Sequence, residues 1–346
     1  MDERDVATTA AGSEPELVRS SVHANGSRFL LWMPIAAAIA YPWTLIAFHS
    51  AVITGNRAVA AIWLIVAFSL PLSCLALAST NRVQLTPGAR RLAYAGVTAP
   101  PLYVFVGVAS GLLKSPFPER VTWVVGWVFA GMIASIVKTG YAPPVATTSR
   151  NRLQFAHGVS ATLILLFVAF HLFNHLTGLI GPEMHAHIMA FGRRVYRSRM
   201  VEPMLIALLF FQVVSGVRLA WRWSRTAVDL PRAIQVGSGV YLSAFIITHL
   251  NSALISARTV HHIETNWAWA SGGESGLIMD AWNIRLVPHY ALGVFFIVTH
   301  VVCGLRIVLL AHGIREQAAN RILWGGMGFA AVLSTAIISG LCGVRI

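Results

Sequence analysis

The sequence predicts an all-α, polytopic transmembrane helix bundle of about nine spans. Of its 346 residues, 56% are hydrophobic and only 11% are charged, and mean hydropathy is +0.67. A soluble domain would carry about a quarter charged residues. The apolar residues also fall in runs long enough to cross ~30 Å of hydrocarbon, separated by short basic loops.

Residues 1–28 are polar and at first acidic (Asp2, Glu3, Asp5, Glu14, Glu16). They read as a disordered cytoplasmic tail; no basic segment precedes the first apolar run, so they do not read as a signal peptide. Spans are expected at about 29–50, 57–79, 92–113, 120–139, 152–178, 198–222, 233–257, 287–311 and 322–343. The first four make an N-terminal membrane region over 29–140, and the last five a second membrane unit over 150–343. Pro34, Pro42, Pro71, Pro100 and Pro101 are expected to kink the early spans. That region holds no intramembrane histidine beyond His49 and offers no chemistry of its own.

The net charge of +13 comes almost wholly from arginine. The arginines sit in loops between spans, where they act as topology signals and headgroup contacts, so nucleic acid is not an expected partner and the lipid bilayer is. The larger share lies in the loops on the N-terminal side, which puts the N-terminus in the cytoplasm. The basic stretch 183–199 runs against that bias and suits a short interfacial helix. Residues 258–287 form one long connection containing HHIETNWAWASGGESG. Its tryptophans suit an interfacial lid over a membrane site, or a plain loop at headgroup level. Cys74, Cys303 and Cys342 lie in apolar segments, at spacings that match neither zinc, an iron–sulfur cluster nor covalent haem attachment.

Thirteen histidines are the feature that needs explaining. His157, His171 and His175 share the 152–178 span, and at about 100° per residue they fall within roughly 40° of one another. His249 lies in the seventh span, and His289 and His300 in the eighth. An ionisable group inside a span is a functional hypothesis by default. Two imidazoles from facing helices are what a haem iron takes for bis-histidine ligation; an interhelical hydrogen bond is the other reading. The fifth and seventh spans run outward, which puts His171 and His249 at matched depth in the outer half. His157, about 21 Å from His171 along its helix, lies in an inner region with His300 and Gln212. The metal-ligating candidates are therefore His171, His249 and His300. His175 is an alternative outer ligand, a propionate partner or a quinone contact. Arg218 and Arg306, near the inner surface, suit haem propionates or snorkel to headgroups. Gln212-Val-Val-Ser-Gly216-Val-Arg218 beside His300-Val-Val-Cys-Gly304-Leu-Arg306 suggests a weak internal repeat of helix pairs.

Over residues 150–343 these features resemble the five-helix b-type cytochrome membrane-anchor subunit of succinate dehydrogenase and fumarate reductase. The likeness rests on Arg152-Leu153, Gly158-Val159, His171-Leu172, Glu202, Gln212-x-x-x-Gly216, His249 and His300-x-x-x-Gly304. It implies a haem-binding four- or five-helix bundle in which His171 and His249 hold an outer haem b and His300 holds an inner one. The partner of His300 falls on Gln212, a departure, since glutamine is not a usual haem ligand. One haem is therefore expected and the second is open, with His157 a substitute ligand. The resemblance also implies transmembrane or quinone-linked electron transfer, a quinone and a separate redox partner subunit, in a multi-pass protein of the bacterial inner membrane. A proton- or metal-linked transporter using the same histidines, and a haem-free scaffold, are the competing functions.

Overall fold

The computed structural model describes residues 14–80, 85–137 and 152–346, with side chains described from residue 29. Eight of its helices are long and apolar enough to cross a membrane, and nine if one bent pair counts as a single span. The chain is thus an all-α polytopic helical protein, as its composition predicts.

The first five helices form the N-terminal region. They are α1 (Glu14–Ile53), α2 (Arg57–Ser79), α3 (Pro87–Gly96), α4 (Ala99–Leu112) and α5 (Glu119–Ile136). Helix α1 begins inside the segment expected to be a disordered tail, because extending a helix already nucleated by its apolar run costs little per residue. Residues 1–13 lie outside the described residues. Asn56 caps α2 by accepting from the Val59 N–H at 3.2 Å, and Thr86 caps α3 the same way from Ala89 at 3.2 Å.

The third span differs from expectation. Instead of one helix over 92–113, α3 and α4 meet at a 68° bend. Pro100 and Pro101 lack the N–H groups that would continue α3, and they sit in the first turn of α4, where none is required. Helices α1 and α2 continue unbroken through Pro34, Pro42 and Pro71.

The second region comprises α6 (Arg152–Thr177), α7 (Pro182–Tyr196), α8 (Val201–Trp223), α9 (Leu230–Leu250), α10 (Trp267–Ala270), α11 (Leu286–Ala311) and α12 (Glu316–Leu341). Helix α9 runs on into a π-helix, Asn251–Val260. Its N-terminus is set by Asp229, whose carboxylate accepts from the Arg232 N–H at 3.2 Å, with Pro231 in the first turn. The five long helices close a ring in the order α6, α8, α9, α11, α12 and back to α6. Below, the distal end is the one bearing α7 and the 261–285 connection, and the proximal end is the opposite one.

The N-terminal region docks against α9 and α11. Thr248 donates to the Pro101 carbonyl at 3.0 Å, and at the distal end the Nε2 of His49 bonds the Met279 carbonyl at 3.0 Å. Arg285 grips the Glu119 carboxylate through two nitrogens, at 2.8 and 2.7 Å, while the Tyr103 hydroxyl donates to the same carboxylate at 2.9 Å. Glu119 opens α5 just ahead of the expected span and is fully engaged in joining this region to the turn that leads into α11.

Candidate haem-binding cavity

Apolar side chains fill the contacts between neighbouring helices of the ring, but imidazoles project into its centre. A cavity of about 350 Å³ lies there. His157, His171, His175, His249 and His300 all line it. Four of them form two facing pairs, each joining helices that are not neighbours in sequence.

At the distal level, His171 of α6 faces His249 of α9 with ring centroids 5.9 Å apart and planes at 73°. Neither ring hydrogen-bonds to another described residue; each is held by stacking on a phenylalanine. Phe167 stacks on His171 at 5.6 Å and 21°, and Phe245 stacks on His249 at 5.6 Å and 10°. The interhelical hydrogen bond considered from sequence is not what relates these two side chains. His175, one turn along α6, sits 4.7 Å from the His171 ring.

At the proximal level the pair is His157 of α6 and His300 of α11, with centroids 6.3 Å apart and planes at 86°. Hydrogen bonding fixes which nitrogen of each ring is free. The Nδ1 of His157 lies 2.7 Å from Ser215 Oγ, and that hydroxyl already donates to the Phe211 carbonyl at 2.5 Å. Nδ1 must therefore be the N–H donor, which leaves the Nε2 lone pair unused. His300 is arranged alike. Its Nδ1 lies 3.0 Å from Ser238 Oγ and 3.2 Å from the Gln235 carbonyl, to which Ser238 also donates at 3.1 Å. A Cβ on Gly239 would fall 2.9 Å from His300 Cε1, so the ring depends on that glycine for its place.

Gln212 takes no part as a ligand candidate. Its amide donates to the His157 carbonyl at 2.9 Å and to Ser160 Oγ at 2.6 Å, which ties α8 to α6 behind the proximal pair. The partner of His300 is His157.

The two arginines singled out from sequence do not reach the cavity. Arg218 is exposed on α8. Arg306 is buried and bonds Asn320 at 2.7 Å and Glu316 at 3.2 Å, bracing α11 on α12. The arginines that do line the cavity are Arg197 and Arg258, in its distal half. Arg258 pairs with Glu202 at 2.5 Å, and Arg197 donates to Thr265 Oγ1 at 2.8 Å.

Helix α7 forms the distal wall. It descends along α6, with His185 against His175, Gly192 against Phe170 and Tyr196 against Phe167. His185, in the stretch expected to form a short interfacial helix, is only 2% exposed, and burial together with the Arg193 charge presses its imidazole down to about 4. Asn174 donates to its Nε2 at 3.1 Å. The His185 Nδ1, the His175 Nδ1 and the Asn174 Oδ1 are buried without a hydrogen-bond partner. Across the top lies the 261–285 connection. Its Trp267 ring packs on His185 at 4.8 Å and fills the place a Cβ on Gly178 would take, and Asn266 and Trp269 close the cavity. Of the two readings of this segment, lid and plain loop, its contacts match the lid. His289 is fully buried against Phe245 and Tyr290; it is Tyr290 that reaches the cavity.

A metal–nitrogen bond is about 2 Å and an imidazole centre lies roughly 1 Å behind its ligating atom, so two such bonds in line need ring centres about 6 Å apart. Both pairs meet that requirement, and the proximal pair also presents two free Nε2 lone pairs. The spacing of both pairs is therefore compatible with bis-histidine ligation of haem.

Fold and site together define a polytopic helical membrane protein with a histidine-walled central cavity. No protein-family model, curated protein or solved structure matches the chain.

Proposed function

We propose that this chain is an integral-membrane b-type cytochrome of the succinate dehydrogenase/fumarate reductase anchor kind, holding haem between His171 and His249 and again between His157 and His300. The observation that carries the reading is the spacing of the two imidazole pairs inside one cavity. Bound haem supplies a one-electron couple whose potential is set by its axial ligands and surroundings. The protein's part is to orient the ligands: Phe167 and Phe245 by stacking, Ser215, Ser238 and Gln235 by fixing tautomers. The lid and α7 shield the distal level from water. A lipid quinone is the exchange partner in this reading, with the unpaired atoms of Asn174, His175 and His185 available to a ring carbonyl or hydroxyl. With the N-terminus cytoplasmic, the distal end faces outward, and the flavin or iron–sulfur chemistry belongs to a partner subunit.

Haem quantitation on the purified chain, with a reduced-minus-oxidised spectrum, tests this. Two haems per chain with b-type bands are expected. His171→Ala and His157→Ala should each remove one, while Gln212→Ala keeps both. A wild-type chain that binds no haem, or haem content indifferent to both histidine variants, overturns the proposal. Proton or metal flux in liposomes by a haem-free chain would favour a transporter instead.

A further inference from the structure

The distal half of the cavity carries an unbalanced charge. Two arginines, Arg197 and Arg258, line it with one glutamate, Glu202, and a third arginine pairs with a second glutamate just outside the lining. Arg193 pairs with Glu264 at 2.5 Å and Arg258 with Glu202 at 2.5 Å. Arg197 lines the cavity, half-buried, and among the described residues its side chain hydrogen-bonds only to the neutral Thr265 hydroxyl. The α7 C-terminus, which Arg197 caps, contributes no more than a partial negative charge. Burial, and then the Arg193 and Arg258 charges, lower the pKa of this guanidinium, against a smaller opposing effect of Tyr196 and of the Glu202 carboxylate, which is already paired with Arg258. It stays cationic all the same, because an arginine keeps its proton in proteins. A half-buried cation at the edge of an apolar cavity, with no carboxylate bonded to it, suits an anion, and the planar guanidinium fork matches a carboxylate in two-point geometry.

We infer that Arg197 is the binding site for a carboxylate carried by whatever occupies the cavity. Arg258 stands beside it, already committed to Glu202 and so a secondary contact. Two ligands bear that group on an apolar body: haem, through its propionates, and a free fatty acid entering from the bilayer. The haem source rests on the proposed function; the fatty-acid source does not.

The experiment uses the purified full chain with Arg197→Gln, Arg197→Lys and Arg218→Gln. Redox potentiometry follows the haem bands, and calorimetry follows laurate binding. If a propionate is held, Arg197→Gln shifts one haem to lower potential, since a lost positive charge disfavours the added electron, and Arg197→Lys restores most of the shift. Arg218→Gln leaves the potential in place. If a fatty acid is held, laurate binds saturably to the wild type and at least tenfold more weakly to Arg197→Gln, even in a chain free of haem. The inference is overturned if Arg197→Gln alters neither readout, or if Arg218→Gln alters it equally. A wild-type chain that takes up no haem yet binds laurate through Arg197 would sink the cytochrome reading and leave this one standing.

Discussion

His157 and His300 face each other across 6.3 Å, and each is turned toward the other by a serine from a third and a fourth helix. Ser215 stands on α8 and Ser238 on α9, so four of the five ring helices converge on one pair of nitrogens. Partners behind a ligand are worth about 10–100-fold in metal affinity. Ser215→Ala removes the only hydrogen-bond acceptor of His157 Nδ1 among the described residues, and should weaken retention of the proximal haem by about that factor. Ser238→Ala should do less, because the Gln235 carbonyl remains at 3.2 Å. Haem loss on serial dilution measures both; equal retention in all three proteins contradicts the tautomer argument.

The lid is tested at Gly178. An added methyl there would land 1.9 Å from the Trp267 ring, so Gly178→Ala must push the tryptophan out, at a cost of about 1–3 kcal/mol. The expected result is a lower melting temperature and faster proteolysis within residues 261–285. Gly111→Ala, where nothing lies within 4 Å, should be neutral or slightly stabilising. If both variants behave alike, the Trp267 contact does not hold the connection down.

The junction between the two regions depends on Glu119 and Arg285. Removing one partner strands a largely buried charge, so Glu119→Ala should cost about 3 kcal/mol, near the lower end for buried pairs because Glu119 is 23% exposed. Removing both with Glu119→Ala and Arg285→Met should cost less than the single change. Chemical unfolding in detergent of the two variants and the wild type decides this, and a double variant no better than the single one refutes it.

His185 gives a pH dependence with a definite sign. Its folded pKa of about 4 lies below the ordinary 6.5, so between those values the unfolded chain binds more protons than the folded one. Stability is therefore complete above pH 6.5 and falls as pH drops toward 4. His185→Gln should flatten that part of the melting-temperature profile, and an unchanged profile means that other groups govern it.

Hydropathy alone was enough to find eight of the nine expected spans, because the bilayer favours long apolar helices for its crossings. Periodicity likewise put His157, His171 and His175 on one side of α6, and helix direction put His171 level with His249. These are local or one-dimensional facts, written in the order of residues. The bend at Pro100 was half visible: the prolines were seen, but α1 and α2 also contain prolines and run on. The partner of His300 was left open between Gln212 and His157, since both fall at the same depth and only packing decides which side chain turns inward. The serines behind the proximal rings were hidden for the same reason, as one serine in an apolar helix looks like another until its neighbour is known. Arg218 and Arg306 looked like cavity arginines because they stood near the right depth, yet rotation about the helix axis and the pull of Glu316 and Asn320 took them elsewhere. Sequence determined that imidazoles lie inside the membrane and at which levels; the tertiary structure decided which of them meet, because azimuth and inter-helix distance are set by side-chain packing between segments far apart in the chain.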